Sequence, residues 1–248
     1  MGDRNGERLA GATEEVRDAG ATVHDHVFDI TDRAGFQEAA DAFVREAGGV
    51  DLVVNNAGVA LGGAMGEYTP EDWDWLIGIN LTGVFNGCHA FLPVLKQQQS
   101  GHFLNVASAA GFVPAPRMTA YCAAKAGVRM MTEVLHNELA PDGIGCTVLM
   151  PEFFRTNLHE SLRGPDIELA TKMITRSDLT AEGAAAYALE AVGKGKLHAV
   201  YSWRARLLWR LVRYCPGILN RLVQAEARRL DRKRAAAEAR AGHSPTKS

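Results

Sequence analysis

The chain has 248 residues, 47% of them apolar and 23% charged, which suits one α/β domain, or at most two small ones, with a sizeable core. A formal net charge of −2 argues against nucleic acid as the main partner. The first twenty residues are polar, with no apolar run of the signal-peptide kind, and no stretch is apolar enough to span a bilayer.

In chain order, residues 5 to 19 read as a helix with Leu9, Ala12 and Val16 on one face, stopped by Gly20. Ala21 to Phe28 reads as a strand ending at Asp29, and Arg33 to Ala47 as a second amphipathic helix with Phe36, Ala40 and Phe43 in a stripe. Asp51 to Asn55 is a short strand too apolar to alternate, as buried parallel strands are. A long helix follows over Trp73 to Leu95, then a strand at His102 to Ala107, a helix over Tyr121 to Leu139 and a strand at Gly145 to Met150. Strands alternating with helices of this length predict a mostly parallel, doubly wound, Rossmann-like α/β sheet. From about Leu197 the composition turns to arginine interleaved with Trp203, Leu207, Trp209 and Leu222, broken at Pro216-Gly217. We therefore divide the chain into a domain over 1–200 and a basic amphipathic helical tail over 201–248. Ala235 to Ser248 is expected to lack order.

Cys88, Cys122, Cys146 and Cys215 form neither a CxxC pair nor a metal-ligand spacing. A reducing, cytoplasmic compartment and no metal site are expected. Chemistry concentrates instead at Tyr121-Cys-Ala-Ala-Lys125. Residues four apart share a helix face, which sets the Lys ammonium near the phenol. A neighbouring cation lowers a phenol's pKa from its ordinary value of about 10 and makes it a usable acid or base. Ser108 ends a predicted strand thirteen residues earlier. Ligands of open α/β sheets bind at such ends, and a hydroxyl there can steady a carbonyl oxygen. Asn55-Asn-Ala-Gly58 follows another strand, with small residues that let backbone approach a flat ligand. Asn80 lies inside the long helix, ahead of Gly83. Asn competes there for backbone hydrogen bonds, so either a local distortion or a plain exposed residue is expected.

Asp29, Asn55-Asn-Ala-Gly58, Asn80, Ser108, Tyr121-xxx-Lys125, Pro151 and Thr156 in this order resemble the short-chain dehydrogenase/reductase family over roughly residues 3 to 156. The resemblance implies that Tyr121 exchanges a proton with the substrate oxygen and Ser108 steadies that oxygen. It implies that Lys125 holds the nicotinamide ribose and that Asn80 helps hold a relay water. Asp29, Asn55, Ala57 and Gly58 would line the adenosine side, and Thr156 the nicotinamide or pyrophosphate side. Asp3 would bond a ribose 2′-hydroxyl, favouring NAD with NADP possible. Homodimers or homotetramers are implied, through the helices that carry Asn80 and Tyr121.

Two departures stand out. No glycine-rich phosphate turn of the family's kind occurs in the chain, so the sheet is expected to lack its first βαβ elements, with the strand at Asp51 left open on one edge and the frame extending upstream of Met1. Glu152 stands where the family has glycine after Pro151.

Phe153, Phe154, Leu158 and Leu162 on one side, with Phe112, Val113, Pro114 and Met118 on the other, predict an apolar substrate wall or ordinary loop packing. The expected activity is hydride transfer between NAD(P) and a hydrophobic secondary alcohol or ketone. The alternative is a catalytically silent homologue acting as an oligomer partner or membrane-associated module. The tail reads either as a peripheral membrane contact or as a capping helix with its arginines in water.

Overall fold

A computed structural model describes residues 1–241. Strands and helices alternate as the periodicity requires. The elements are β1 (Gly2–Asp3), α1 (Gly6–Asp18), β2 (His26–Val27), α2 (Arg33–Ala47), β3 (Leu52–Asn55), β4 (Ala60–Leu61), α3 (Pro70–Ile77), α4 (Gly83–Gln98), β5 (Gly101–Val106), α5 (Thr119–Leu139), β6 (Ile144–Pro151), β7 (Leu162–Arg163), α6 (Ile167–Thr175), α7 (Ala181–Gly193), β8 (His198–Tyr201), α8 (Trp203–Tyr214) and α9 (Pro216–Ala241).

The main sheet has the order β3-β5-β6-β8, all parallel. Its two faces are covered by different helices, which is why β5 and β6 read as unbroken apolar runs. Phe103, Val148 and Met150 pack with Val84, Cys88 and Leu95 of α4 and Val128 of α5. Leu104 and Leu149 pack with Ala188 and Ala191 of α7. This is the parallel, helix-flanked, Rossmann-like α/β architecture that the alternation predicts.

The strand expected over Ala21 to Phe28 is ordered as sheet only at His26–Val27. Its one partner, β1, offers two residues, Gly2 opposite His26 and Asp3 opposite Val27. A ladder cannot outrun its partner. On the other side β3 pairs only with β5. An apolar cavity of about 290 Å³ lies between β1 and β3, lined by Phe28, Phe36, Phe43, Val53, Val84 and Phe91 among others.

The long helix expected over Trp73 to Leu95 is interrupted by a π turn at Gly78–Thr82, so the distortion expected at Asn80 is present. α9 continues to Ala241, and Ala235 to Ala241 is therefore helical, where a lack of order was expected. The rest of that expectation, over 242–248, lies outside the described residues. Compositionally the tail begins near residue 201, but Ala205 and Trp209 of α8 belong to the main core. Among the described residues no helix is long and apolar enough to cross a membrane.

Candidate active site

The carboxyl ends of β3, β5 and β6 open on a cleft of about 1100 Å³, lined by Asp3, Asp29, Ala57, Gly58, Ser108, Tyr121, Lys125 and Thr156. These residues come from far-apart segments and meet because parallel strands end on one side of a sheet. Two expected site residues, Asn55 and Asn80, are not part of this lining.

Ser108 follows β5 in extended backbone, with φ −170° and ψ 162°. Its Oγ accepts the Ala110 N–H at 3.1 Å and donates to the Pro151 carbonyl at 3.4 Å. It lines the same cleft as the Tyr121 phenol. Tyr121 and Lys125 lie one turn apart on α5, 8% and 3% exposed. Lys125 Nζ donates to the Val106 carbonyl at 2.8 Å and stands 5.9 Å from the centre of the Tyr121 ring. Burial pushes the Tyr121 phenol up to about 12, opposed by the Ser108 hydrogen bond. Burial pushes the Lys125 ammonium down to about 8. The expected lowering of the phenol by Lys125 is therefore not what the protein alone produces. Desolvation sets the direction, and the Lys125 ammonium, bonded to the Val106 carbonyl, does not offset it.

Asn80 is fully buried. Its Oδ1 accepts the Val59 N–H and its Nδ2 donates to the Val59 carbonyl, both at 2.8 Å. The π turn thus aims a side-chain amide that pairs like a strand with the segment after Gly58. A Cβ on Gly58 would sit 3.3 Å from Asn80 Oδ1 and 3.5 Å from Lys125 Nζ, so a small residue is needed where that segment passes the lysine.

Asn55 points inward rather than to the cleft. Its Nδ2 donates to Asn105 Oδ1 at 2.8 Å, and Asn105 Nδ2 donates to Thr132 Oγ1 at 3.0 Å. A Cβ on Gly87 would fall 1.9 Å from Asn55 Oδ1, so α4 carries glycine where it crosses this network. Of the expected adenosine-side residues, Asn55 is thus a buried tie between β3 and β5, whereas Ala57 and Gly58 line the cleft.

Asp29 Oδ1 accepts the Thr31 N–H at 2.8 Å and the Thr31 hydroxyl at 2.7 Å. These two bonds hold its carboxyl below the usual range. Asp3 Oδ1 accepts the Asn5 N–H at 2.8 Å. Arg4 and Arg8 line the same end, and no glycine-rich turn lies there among the described residues.

Val113, Met118, Phe153, Phe154, Leu158 and Leu162 wall the opposite end. Pro114 is absent from that wall, and Phe112 packs its ring 4.9 Å from Trp209 instead. Glu152 Oε1 accepts the Ser202 hydroxyl at 2.6 Å, and Ser202 Oγ in turn caps α8 through the Ala205 N–H at 3.0 Å. Glu152 therefore roots the tail helix on the cleft floor. Arg204 and Leu208 of α8, with Trp75 and Met173, line the cleft too. Sequence reading missed them because only tertiary packing brings them near Tyr121.

Residues 1–166 match the short chain dehydrogenase family. A 3-oxoacyl-[acyl-carrier-protein] reductase of Thermotoga maritima is 35% identical over 161 residues, which are 65% of this chain and 65% of that reductase. A short chain dehydrogenase/reductase of Burkholderia phymatum, solved in complex with NAD, superposes with a TM-score of 0.80 at 29% identity, over 86% of this chain and 81% of that one. A gluconate 5-dehydrogenase of Burkholderia cenocepacia, solved with NADP and tartrate, superposes at 0.64 with 26% identity and 82% of each chain covered. With strand ends, buried Tyr121-Lys125 pair and matched length in agreement, this chain belongs to the short-chain dehydrogenase family.

Proposed function

We propose that the chain is an NAD(P)-dependent oxidoreductase that interconverts a hydrophobic secondary ketone and its alcohol. The observation that carries this reading is Tyr121 and Lys125, both buried one turn apart on α5, facing Ser108 in a cleft that also holds Asp3 and Asp29. The residues present fit a dinucleotide at both ends. Carboxylates suited to ribose and adenine stand at one end and Lys125 Nζ at the other, and Gly58, expected on the adenosine side, passes beside that lysine. When bound, the nicotinamide supplies or accepts the hydride.

The protein's own part is proton transfer and positioning. A phenol pushed up to about 12 is protonated at neutral pH. Tyr121 is thus ready to donate its proton to a carbonyl oxygen as charge develops there. Ser108 shares that charge through its hydroxyl. Lys125, pushed down to about 8, gives and takes a proton near neutral pH and resupplies the phenol. Asn80 fixes the segment next to Lys125; the relay water near it rests on the family resemblance, as does the place of Thr156 at the nicotinamide side. Asp3 favours NAD over NADP, because a carboxylate repels a 2′-phosphate. The apolar wall of Phe153, Phe154 and Leu158 favours a hydrophobic substrate. Phe85 of α4 and Met130 and Val134 of α5 are exposed at 43%, 51% and 45%, and they support a homo-oligomer formed through those helices.

One observation favours a second reading, a catalytically silent homologue. The cavity beside β3 leaves that edge unpaired next to the adenosine end. Calorimetry with NAD(H) and NADP(H) separates the two. Micromolar binding of NAD(H), with reduction of apolar ketones that Tyr121→Phe abolishes, is the expected result. No binding of either dinucleotide would leave the silent reading.

A further inference from the structure

Arginine-rich helices usually bury their apolar face and leave arginine in water. α8 buries one apolar face, with Ala205 fully buried and Trp209 packed at 4.9 Å from Phe112 and 5.2 Å from His198. It then carries a second apolar stripe on the opposite side. Trp203, Leu207 and Tyr214 fall on one line at helical spacing and are exposed at 65%, 49% and 80%. Beyond Cys215, Ile218 and Leu222 of α9 are exposed at 54% and 56%. Arg206, Arg210 and Arg221 flank these residues and are themselves exposed. Residues 203–232 hold eight arginines against Glu226 and Asp231, a net of +6 in a chain whose total is −2. The charge is thus concentrated on the element that exposes tryptophan, tyrosine and leucine.

We propose that α8 and α9 dock the protein on an anionic lipid surface, with the catalytic cleft beside that surface. Aromatic and leucine side chains between arginines are the chemistry that enters a headgroup layer, the rings at the interface and the guanidinium groups on lipid phosphates. A second copy of the chain fits this face poorly, since a two-fold contact would bring two such arginine clusters together. The face is held rigidly. Ser202 ties the start of α8 to Glu152 on the cleft floor at 2.6 Å, and Trp209 is wedged into the core. Arg204 and Leu208, next in sequence to the exposed Trp203 and Leu207, line the cleft that holds Tyr121. Successive helix residues point about 100° apart, so docking sets the cleft beside the lipid-facing stripe. The docking stands independently of the oxidoreductase reading; only its consequence, that an apolar substrate enters from the lipid side, rests on that reading.

The test is co-sedimentation of the full 248-residue chain with phosphatidylcholine vesicles, with and without phosphatidylglycerol. Binding is expected to the phosphatidylglycerol vesicles and to weaken as salt is raised. An Arg206→Gln/Arg210→Gln/Arg221→Gln variant should bind about a hundredfold more weakly, at about tenfold or less per arginine. A Trp203→Ala/Leu207→Ala variant should also lose binding, with helix content and solution mass unchanged. Three outcomes overturn the proposal: no binding to either vesicle, binding that both variants retain, or a fall in solution mass in the Trp203→Ala/Leu207→Ala variant, which would mean that a second copy covers this face. Calorimetric NAD(H) binding measured on the same variants is expected to be unchanged. Its absence in the unaltered chain would count against the oxidoreductase reading and leave docking standing.

Discussion

The main sheet and the β1–β2 pair are both parallel, yet they are held by very different means. β5 shares four register pairs with β3 and six with β6, and β6 shares four with β8. Helices cover both faces, and Phe103, Val148 and Met150 are fully buried. β1 and β2 share two register pairs, Val27 is 63% exposed, and a cavity separates them from β3. Parallel strands draw their stability from burial on both faces. Ser108, Tyr121 and Lys125 sit on the part that has this, and Asp3 and Asp29 sit at the border of the part that has little.

The largest effect expected from this contrast is chemical. Tyr121→Phe should lower turnover by about 10²–10⁴-fold while cofactor affinity stays within a few-fold, as titration calorimetry beside steady-state kinetics would record. Asp3→Ala, on the weaker part, should do the opposite, raising the cofactor Kd and relaxing NAD preference with little change in kcat. Equal losses of affinity from both substitutions would mean that the two parts act as one unit.

Hydrogen exchange comes next. Amides of β5 and β6 should exchange only through global unfolding, whereas those of β2 should open by local fluctuation at a free energy about 3 kcal/mol or more lower. Matching protection in the two places would erase the contrast. Asn105→Ala probes the ties inside the main sheet. It takes away the Asn105 bonds of Asn55 Nδ2 and Thr132 Oγ1, leaving them Cys88 Sγ and the Val128 carbonyl, and a loss of about 1–3 kcal/mol is expected in denaturant unfolding.

The buried lysine gives a pH signature of the strong part. The folded value of Lys125 is about 8 against an ordinary 10.5. Between those two values the unfolded chain binds a proton that the folded chain does not, so this group makes folding more favourable as pH rises through the window. Tyr121, raised from 10 to about 12, works the other way above pH 10. The stability of the protein relative to a Lys125→Met variant should therefore grow from pH 8 to 10.5, read from denaturant midpoints at several pH values. A flat difference would mean that the lysine is solvated.

What was legible in the sequence follows the same divide. α2, β5, α5 and β6 have strong periodicity or long apolar runs, and their bounds match the expectation to within a residue or two. Tyr121 and Lys125 were legible from helical spacing and Ser108 from its place at a strand end, and the order of motifs that resembles the family joined them. The strand over Ala21 to Phe28 was overread, since β propensity says nothing about the length of a partner. The inward turn of Asn55 was hidden because its partner Asn105 lies 50 residues on, and the Thr132 that Asn105 bonds in turn lies 27 residues beyond that. The part played by Glu152 was hidden likewise, its partner Ser202 being 50 residues away. β8 and α7 were not read at all. The alanine-rich run of α7, with Ala184, Ala188 and Ala191 buried, carries little contrast between its faces.

The smallest effect tests the seam itself. Arg8 of α1 pairs with Glu160, on the segment after Thr156, and thereby links the weaker part to the apolar wall of the cleft. Both side chains are exposed, at 57% and 41%. Attraction between two solvated charges is largely offset by the entropy of holding them, so a double-mutant cycle of Arg8→Ala and Glu160→Ala should return a coupling of about 0.2–1 kcal/mol. At 1 M salt, where screening acts within about 3 Å, the coupling should vanish. A coupling well above that range, or one indifferent to salt, would mean that the bridge is desolvated when the two parts close. The seam would then be a working joint of the cleft, and the weakness of the β1–β2 pair would describe its open form alone.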